Sequence, residues 1–166
     1  MKYRYPLKSL WLPALLLALC LSLTLFSTAA WLINAAANDS TDGYTATIES
    51  VLPALFMLAG WIGSAFLAKR LRLRTFLLFG LGFWSVELIC YLLCLIPSLF
   101  DAAQAFLSIV TLPMWSYFAL VQLFDVKGAV ASVIVTSLPT VALIGVYLSQ
   151  LIALSRADRE TPHPLK

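Results

Sequence analysis

Long uncharged apolar segments are the feature of this sequence that most constrains its fold. Residues 10–33 contain no charged side chain over 24 positions, and residues 102–124 contain none over 23. About 20 apolar residues are enough for a helix to cross the hydrocarbon core of a bilayer. Only 11% of the 166 residues are charged, whereas a soluble domain needs about 25% to cover its surface. The chain is therefore predicted to be an all-α membrane protein with a single transmembrane domain.

Five apolar segments alternate with short polar turns. They predict a bundle of five transmembrane helices at residues 10–33, 51–68, 75–96, 102–124 and 129–154. The remaining residues, 155–166, mix both charges with two prolines and are predicted to be a disordered tail. The positive N-terminal flank of the first segment also fits a signal peptide, but the apolar part of a signal peptide is only ~7–15 residues long. The first segment is therefore predicted to be an uncleaved helix.

The turn at residues 69–74 predicts how the chain is oriented in the membrane. It places Lys69, Arg70, Arg72 and Arg74 between the second and third apolar segments. Four cations cannot be buried in lipid, and short loops rich in Lys and Arg are retained on the cytoplasmic side. With five spans, the N-terminus then lies inside and the C-terminus outside.

A rival arrangement has four spans, with residues 102–124 as a re-entrant or surface segment and the C-terminal tail inside. It places ten Lys and Arg inside and one outside, whereas five spans place eight inside and three outside. The charge count thus slightly favours four spans. The length of the uncharged segment favours a fifth crossing, and charges after the last helix have less influence than early ones. Five spans are the prediction tested below.

Glu87 is the single charged residue well inside an apolar segment. A carboxylate in the bilayer centre is energetically costly, so this side chain should face protein or water. On a helix, Cys90 and Cys94 fall on the same face, three and seven residues later. We predict that Glu87 is an interhelical hydrogen-bond anchor and that the two cysteines are small apolar fillers. The alternative is that Glu87 contacts a proton or a substrate.

Two prolines lie inside the fourth and fifth apolar segments. Pro113 and Pro139 should kink these helices, and the freed carbonyl groups need partners from hydroxyl side chains or neighbouring helices. Such kinks are either static bends that fit helices together or the hinge and wall of a cavity.

The sequence indicates no metal, cofactor or catalytic site. None of the predicted spans contains a histidine, and the cysteines at 90 and 94 lack the C-x-x-C spacing of a redox pair. We find no nucleophile placed with a base, so an enzyme is not expected. The basic turn is short and lacks interleaved aromatic residues, which argues against nucleic acid as a partner.

The C-terminal half of the chain shows a characteristic order of short motifs. The basic turn leads into Arg74-Thr-Phe76 at the start of the third apolar segment. The fourth apolar segment contains Trp115-Ser-Tyr-Phe118. A polar turn, Phe124-Asp-Val-Lys-Gly128, then precedes Ala129-Val-Ala-Ser-Val-Ile-Val-Thr-Ser-Leu-Pro139. In this layout residues 74–150 resemble the Yip-domain membrane proteins, a family that includes eukaryotic proteins interacting with Rab GTPases. The resemblance implies five spans, an N-terminus inside and a role in membrane organisation or partner assembly, without catalytic residues.

These observations predict a non-enzymatic integral membrane protein that acts in membrane organisation or as an accessory, partner-binding subunit. The alternative is a small transporter or channel in which Glu87 faces the path. The expected partners are the lipid bilayer and another membrane protein or a second copy of the chain. Small residues of the second segment, among them Ala59 and Gly63, serve close helix contacts within the chain or with such a copy. Short tails and loops without a sorting signal predict the cytoplasmic (inner) membrane of a bacterium, with an organelle membrane as the alternative.

Overall fold

The computed structural model of the protein describes residues 11–37, 47–96, 112–123 and 129–160. The regular structure of these residues is α-helical throughout. The helices are α1 (Trp11–Ala37), α2 (Ile48–Arg70), α3 (Arg74–Cys94), α4 (Leu112–Trp115), α5 (Phe118–Gln122) and α6 (Ala129–Glu160). The predicted all-α class is therefore confirmed for the described part of the chain.

Four helices are long and apolar enough to cross a membrane. They are Trp11–Ala37, Ile48–Arg70, Arg74–Leu93 and Val133–Arg159, with mean hydropathies of 1.7 to 2.1. At 1.5 Å of rise per residue, even the shortest of them extends ~30 Å, which matches the hydrocarbon core of a bilayer. The prediction of a multi-pass membrane protein is thus supported by α1, α2, α3 and α6.

The bundle exposes apolar side chains and buries polar ones, most clearly on α1. Leu25 and Phe26 are 69% and 62% exposed, whereas Thr24 and Ser27 are 3% and 0% exposed. Lipid is as apolar as leucine, so apolar surface gains little by turning inward, and close packing and hydrogen bonds hold the helices together. This distribution is the one expected for a bundle surrounded by lipid.

Hydrogen bonds between helices show that α1 and α2 are antiparallel. Trp61 Nε1 donates to Thr24 Oγ1 over 2.9 Å near the middle of both helices. At one end, Thr47 Oγ1 donates to Asn34 Oδ1 over 2.9 Å. Thr47 is also the N-cap of α2 and forms a capping box with Ser50. The side chain that begins α2 therefore also joins α2 to α1.

The turn between α2 and α3 is tight and has a left-handed residue. The N–H of Leu73 donates to the carbonyl oxygen of Ala68 (2.7 Å), and the N–H of Arg72 donates to that of Lys69 (3.1 Å). These two bonds are those of a Schellman motif, which ends a helix with one residue in the left-handed region. That residue is Arg72, whose φ is 56°. The motif exposes all four cations of the basic turn.

Replacing Arg72 with glycine is expected to give a protein about 1 kcal/mol more stable than replacing it with alanine, because glycine alone adopts positive φ without steric cost. Both variants lose the guanidinium group, so their difference isolates the backbone conformation. Thermal unfolding in detergent micelles, followed by circular dichroism, measures it. Equal stability of the two variants would contradict a left-handed residue at this position.

Helix α6 packs mainly along α3 and α2. Its Tyr147 hydroxyl lies 3.0 Å from Ser64 Oγ on α2. Its Asp158 Oδ1 lies 3.7 Å from Arg72 Nη1 in the α2–α3 turn. Helix α6 therefore runs antiparallel to α3 and ends beside the basic turn. We call this end of the bundle the basic end, since the α2–α3 turn and the last residues of α6 meet there.

This arrangement differs from the predicted five spans with the termini on opposite sides. Helix α3 ends and α6 begins at the same end of the bundle, so the chain between them makes no net crossing. The part of the predicted fourth span that the structure describes, residues 112–123, forms two short helices broken at Ser116 and Tyr117. Residues 102–111 of that prediction lie outside the described residues. The segment lacks charge because part of it is buried in protein, where uncharged side chains are as necessary as in lipid.

The predicted disordered tail is partly helical. Residues 155–160 continue α6, and residues 161–166 lie outside the described residues. The ion pair of Asp158 with Arg72 gives this last turn a partner on the neighbouring hairpin. Helices α1, α2 and α3 begin and end within four residues of the apolar segments 10–33, 51–68 and 75–96, a difference that is usual for helix ends.

Candidate functional site

Two groups of buried polar side chains lie inside the bundle, one above the other along its axis. The first, nearer the basic end, is called the lower network and consists of Cys20, Thr24, Trp61, Ser64 and Tyr147. The second is called the central polar cluster and consists of Ser27, Glu87, Ser116, Tyr117 and Thr140, which are buried and linked by hydrogen bonds and by the electrostatic interaction of Glu87 with Tyr117. The residues of the lower network belong to α1, α2 and α6. Those of the central polar cluster belong to α1, α3, α6 and the break between α4 and α5.

The lower network joins α1, α2 and α6 through hydrogen bonds. The hydroxyls of Ser64 and Tyr147 both donate to the carbonyl oxygen of Trp61, over 2.7 Å and 3.1 Å. Thr24 Oγ1 donates to the carbonyl oxygen of Cys20 over 2.9 Å and accepts from Trp61 Nε1. These contacts occupy the side chains with one another. The lower network therefore holds the helices together.

Aromatic rings fill the space around Trp61. Its ring stacks on Phe83 with a centroid distance of 5.3 Å and meets Trp84 edge-on at 5.1 Å. Tyr147 packs against Gly80 of α3, where a Cβ atom would lie only 2.1 Å from the tyrosine ring. Glycine thus allows α3 and α6 to approach closely. This half of the interior is tightly packed.

The central polar cluster is built around the break between α4 and α5. The Ser27 hydroxyl of α1 donates to the backbone carbonyl oxygen of Ser116. The hydroxyl of Tyr117 forms a hydrogen bond with the hydroxyl of Thr140, which lies on α6. Ser116 and Tyr117 are both fully buried. The broken segment therefore inserts its backbone and a phenol between the spanning helices.

Two hydrogen bonds from Ser116 to Pro113 hold the break. The carbonyl oxygen of Pro113 accepts hydrogen bonds from both the N–H (3.1 Å) and the side-chain hydroxyl of Ser116. A serine hydroxyl that bonds three residues back competes with the helical hydrogen-bond ladder. Trp115, one residue before, meets Trp31 of α1 edge-on at 4.7 Å. These contacts end α4 and fix the segment against α1.

Glu87 reaches this cluster from α3 and is only 2% exposed. It lies about 5 Å from the midpoint of its span, at 1.5 Å per residue, and therefore within the hydrocarbon depth of the bilayer. The Tyr117 hydroxyl is close enough for an electrostatic interaction with Glu87 and with Tyr91. Glu87 therefore interacts electrostatically with the phenol at the break, a relationship that the sequence did not indicate.

A second polar atom marks the same region of α3. Trp84 lies one turn before Glu87 and is fully buried, and its Nε1 has no hydrogen-bond partner among the described residues. A buried N–H group normally binds protein or an ordered water molecule.

The remaining predicted residues take the following positions. Cys90 is buried one turn beyond Glu87, on the predicted face. Cys94 is the last residue of α3, and its side chain is not among those that the structure describes. Pro113 and Pro139 are half-buried, and Pro139 lies within the continuous helix α6, directly before Thr140. Among the described residues, no three His, Cys, Asp or Glu side chains come together in a way that could hold a metal ion.

Sequence reasoning missed most of the hydroxyl groups in the interior. A signal for them existed in α1, where polar residues or tryptophan recur every three or four positions. The buried residues of this face are Cys20, Thr24, Ser27, Thr28, Trp31 and Asn34. A lipid-embedded helix shows this reversed amphipathic pattern on its protein-facing side. Tyr117 and Thr140 belong to no such repeat, and only the fold brings them together.

No protein-family model matches the chain, and neither a curated protein nor a solved structure matches it. The resemblance to the Yip-domain proteins therefore stays a prediction. The described arrangement of α3 and α6 differs from the five-span layout which that resemblance implies.

Proposed function

We propose that this protein is a small transporter or channel that passes protons or a small cation by way of Glu87. The observation that carries the proposal is the burial of this carboxyl group, 2% exposed, within a membrane span, where it interacts electrostatically with Tyr117 of the broken helical segment. A carboxyl group inside a span is energetically costly, and in membrane proteins such groups mark ion paths and proton relays.

The break between α4 and α5 supports the same proposal. Irregular backbone is tolerated at membrane depth only where protein buries it or where it lines a cavity. Transporters use such broken helices to bring peptide groups and helix ends to a site near the bilayer midplane. Here Tyr117 at the break interacts electrostatically with Glu87 and forms a hydrogen bond with Thr140, which follows Pro139 on α6. The central polar cluster thus combines a titratable group with hydroxyls from different segments.

We infer that the basic end faces the cytoplasm. Six exposed cations lie there, namely Lys69, Arg70, Arg72, Arg74, Arg156 and Arg159. The opposite end has Glu49 exposed at the start of α2. Because short segments rich in Lys and Arg are retained inside, this orientation suits a bacterial cytoplasmic membrane. Transport through Glu87 would then connect that compartment with the outside.

The test is ion flux into liposomes that contain the purified protein. We expect the wild-type protein to dissipate an imposed pH or cation gradient, and Glu87→Gln to reduce the flux about 100-fold, because an amide neither ionises nor carries protons. Glu87→Asp should retain part of the flux. Glu49→Gln, which removes an exposed carboxyl group at the end of α2, is the matched control and should behave as wild type.

The same experiment separates transport from the second candidate function, a partner-binding membrane scaffold. One observation favours the scaffold: Ala59 and Gly63 are exposed on α2, and a Cβ atom at Gly63 would meet nothing within 4 Å. Small residues on a lipid-facing surface let another helix approach closely. If the wild-type liposomes show no flux above empty ones and Glu87→Gln lowers only the melting temperature, Glu87 is an internal anchor and the scaffold is the better description.

A further inference from the structure

The basic end carries more positive charge than its own acidic groups neutralise. Among the side chains described there, Asp158 is the acid that pairs with a cation, and its partner is Arg72 at 3.7 Å. On a helix, residues two apart point in nearly opposite directions. Asp158 therefore points away from Arg156, which lies two residues earlier on α6. Arg156 is exposed and available to an anion.

A groove of about 520 Å³ lies between the end of α2 and the last turns of α6. It is lined by Lys69, Ser149, Ile152, Ala153, Arg156 and Ala157. Two cations lie on its walls, one from each helix, and its lining includes no carboxylate. The groove is thus positively charged where the helices end.

The chemical character of the groove changes along α6. Arg156 lies one turn from the end of the helix, whereas Ile152 and Ala153 lie about a turn deeper. Ile152 is 44% exposed and belongs to the apolar outer surface of the span. A cationic mouth at the membrane surface therefore continues into an apolar strip that faces the acyl chains. A molecule that fits both parts has an anionic head and a hydrocarbon tail.

We propose that this groove binds one anionic phospholipid, with its phosphate between Lys69 and Arg156 and an acyl chain along Ile152. Arginine contacts phosphate through two parallel N–H groups, and lysine contributes a point charge. Basic pockets between transmembrane helices recognise anionic headgroups on the cytoplasmic side in this way. The apolar strip below the cations makes a lipid the better ligand than free phosphate. The site is independent of Glu87 and of the proposed transport.

The test uses the full-length protein in an uncharged detergent, titrated with phosphatidylglycerol or phosphatidylcholine and examined by native mass spectrometry. We expect the wild-type protein to retain phosphatidylglycerol selectively. The double variant Lys69→Gln and Arg156→Gln should lose that retention by about tenfold, since each cation near a headgroup contributes to binding. The double variant Arg70→Gln and Arg74→Gln removes the same charge from the same end, outside the groove, and should stay within about twofold of wild type.

Three results would overturn the proposal. Equal retention of phosphatidylcholine would show that the headgroup charge is not recognised. An equal loss in both double variants would show a diffuse attraction to the whole basic end. Displacement of the bound lipid by millimolar inorganic phosphate would show a phosphate site without a lipid requirement. The double variant Lys69→Arg and Arg156→Lys changes the same two positions but keeps both charges, and it should retain the lipid. Loss of the lipid in this variant too would show that any change at these positions disturbs the fold.

Discussion

Replacing Trp61 with alanine is expected to lower the free energy of unfolding by about 3 kcal/mol, because it leaves a large cavity at the centre of the bundle. The side chain is fully buried and touches the rings of Phe83, Trp84 and Tyr147. Separated helices remain dissolved in lipid, so the transfer of apolar surface contributes little to this loss. The lost contacts and the unfilled volume account for most of it.

Two variants test that explanation for Trp61. Trp61→Phe keeps an aromatic ring but removes the N–H that donates to Thr24, and it should cost only about 1 kcal/mol. Trp11→Ala removes a tryptophan that is 76% exposed and should change stability by less than about 0.5 kcal/mol. Reversible unfolding in mixed micelles of increasing SDS content measures all three. A loss in Trp61→Phe as large as that in Trp61→Ala would show that the hydrogen bond, and not the packed volume, is decisive.

Replacing Gly80 with alanine is expected to destabilise the contact between α3 and α6 by about 1–3 kcal/mol, as overpacking does in a filled interior. The new Cβ atom would lie 2.1 Å from Cε1 of Tyr147, well inside contact distance. The ring cannot move away freely, because its hydroxyl donates to the carbonyl oxygen of Trp61 and lies 3.0 Å from Ser64 Oγ. The helices must therefore separate or the tyrosine must give up these contacts.

The chain supplies a control for Gly80 two residues later. A Cβ atom at Gly82 would meet nothing within 4 Å, so Gly82→Ala should be neutral or stabilise α3 by up to about 1 kcal/mol through helix propensity. The same unfolding measurement compares the two alanine variants. In a Tyr147→Phe background the ring loses its anchor, and Gly80→Ala should then cost less. Equal effects of the two glycine variants would contradict the close approach of α3 and α6.

Much of the fold could be predicted because the relevant signals are local. The apolar length of each span and the cations at Lys69 to Arg74 are properties of neighbouring residues, and both led to structural features that the described chain shows. The burial of Glu87 could also be predicted, since a carboxylate inside an apolar segment has few other places to go. The number of membrane crossings could not be predicted from the sequence. Residues 102–124 carry the same apolar signal as a span, although the described part of that segment, residues 112–123, forms two short helices.

The sequence by itself determined that this is an all-α protein with several membrane-spanning helices, where the hairpin of α2 and α3 turns, and which carboxyl group lies inside. These follow from hydropathy, helical periodicity and the cost of charge in lipid, all of which act along one segment. Only the tertiary structure decided that α6 returns to the basic end and that Tyr117 and Thr140 meet near Glu87. The physical reason is that lipid and protein interior select the same uncharged side chains. The composition of a segment therefore shows that the segment avoids water. Only its contacts show whether lipid or protein surrounds it.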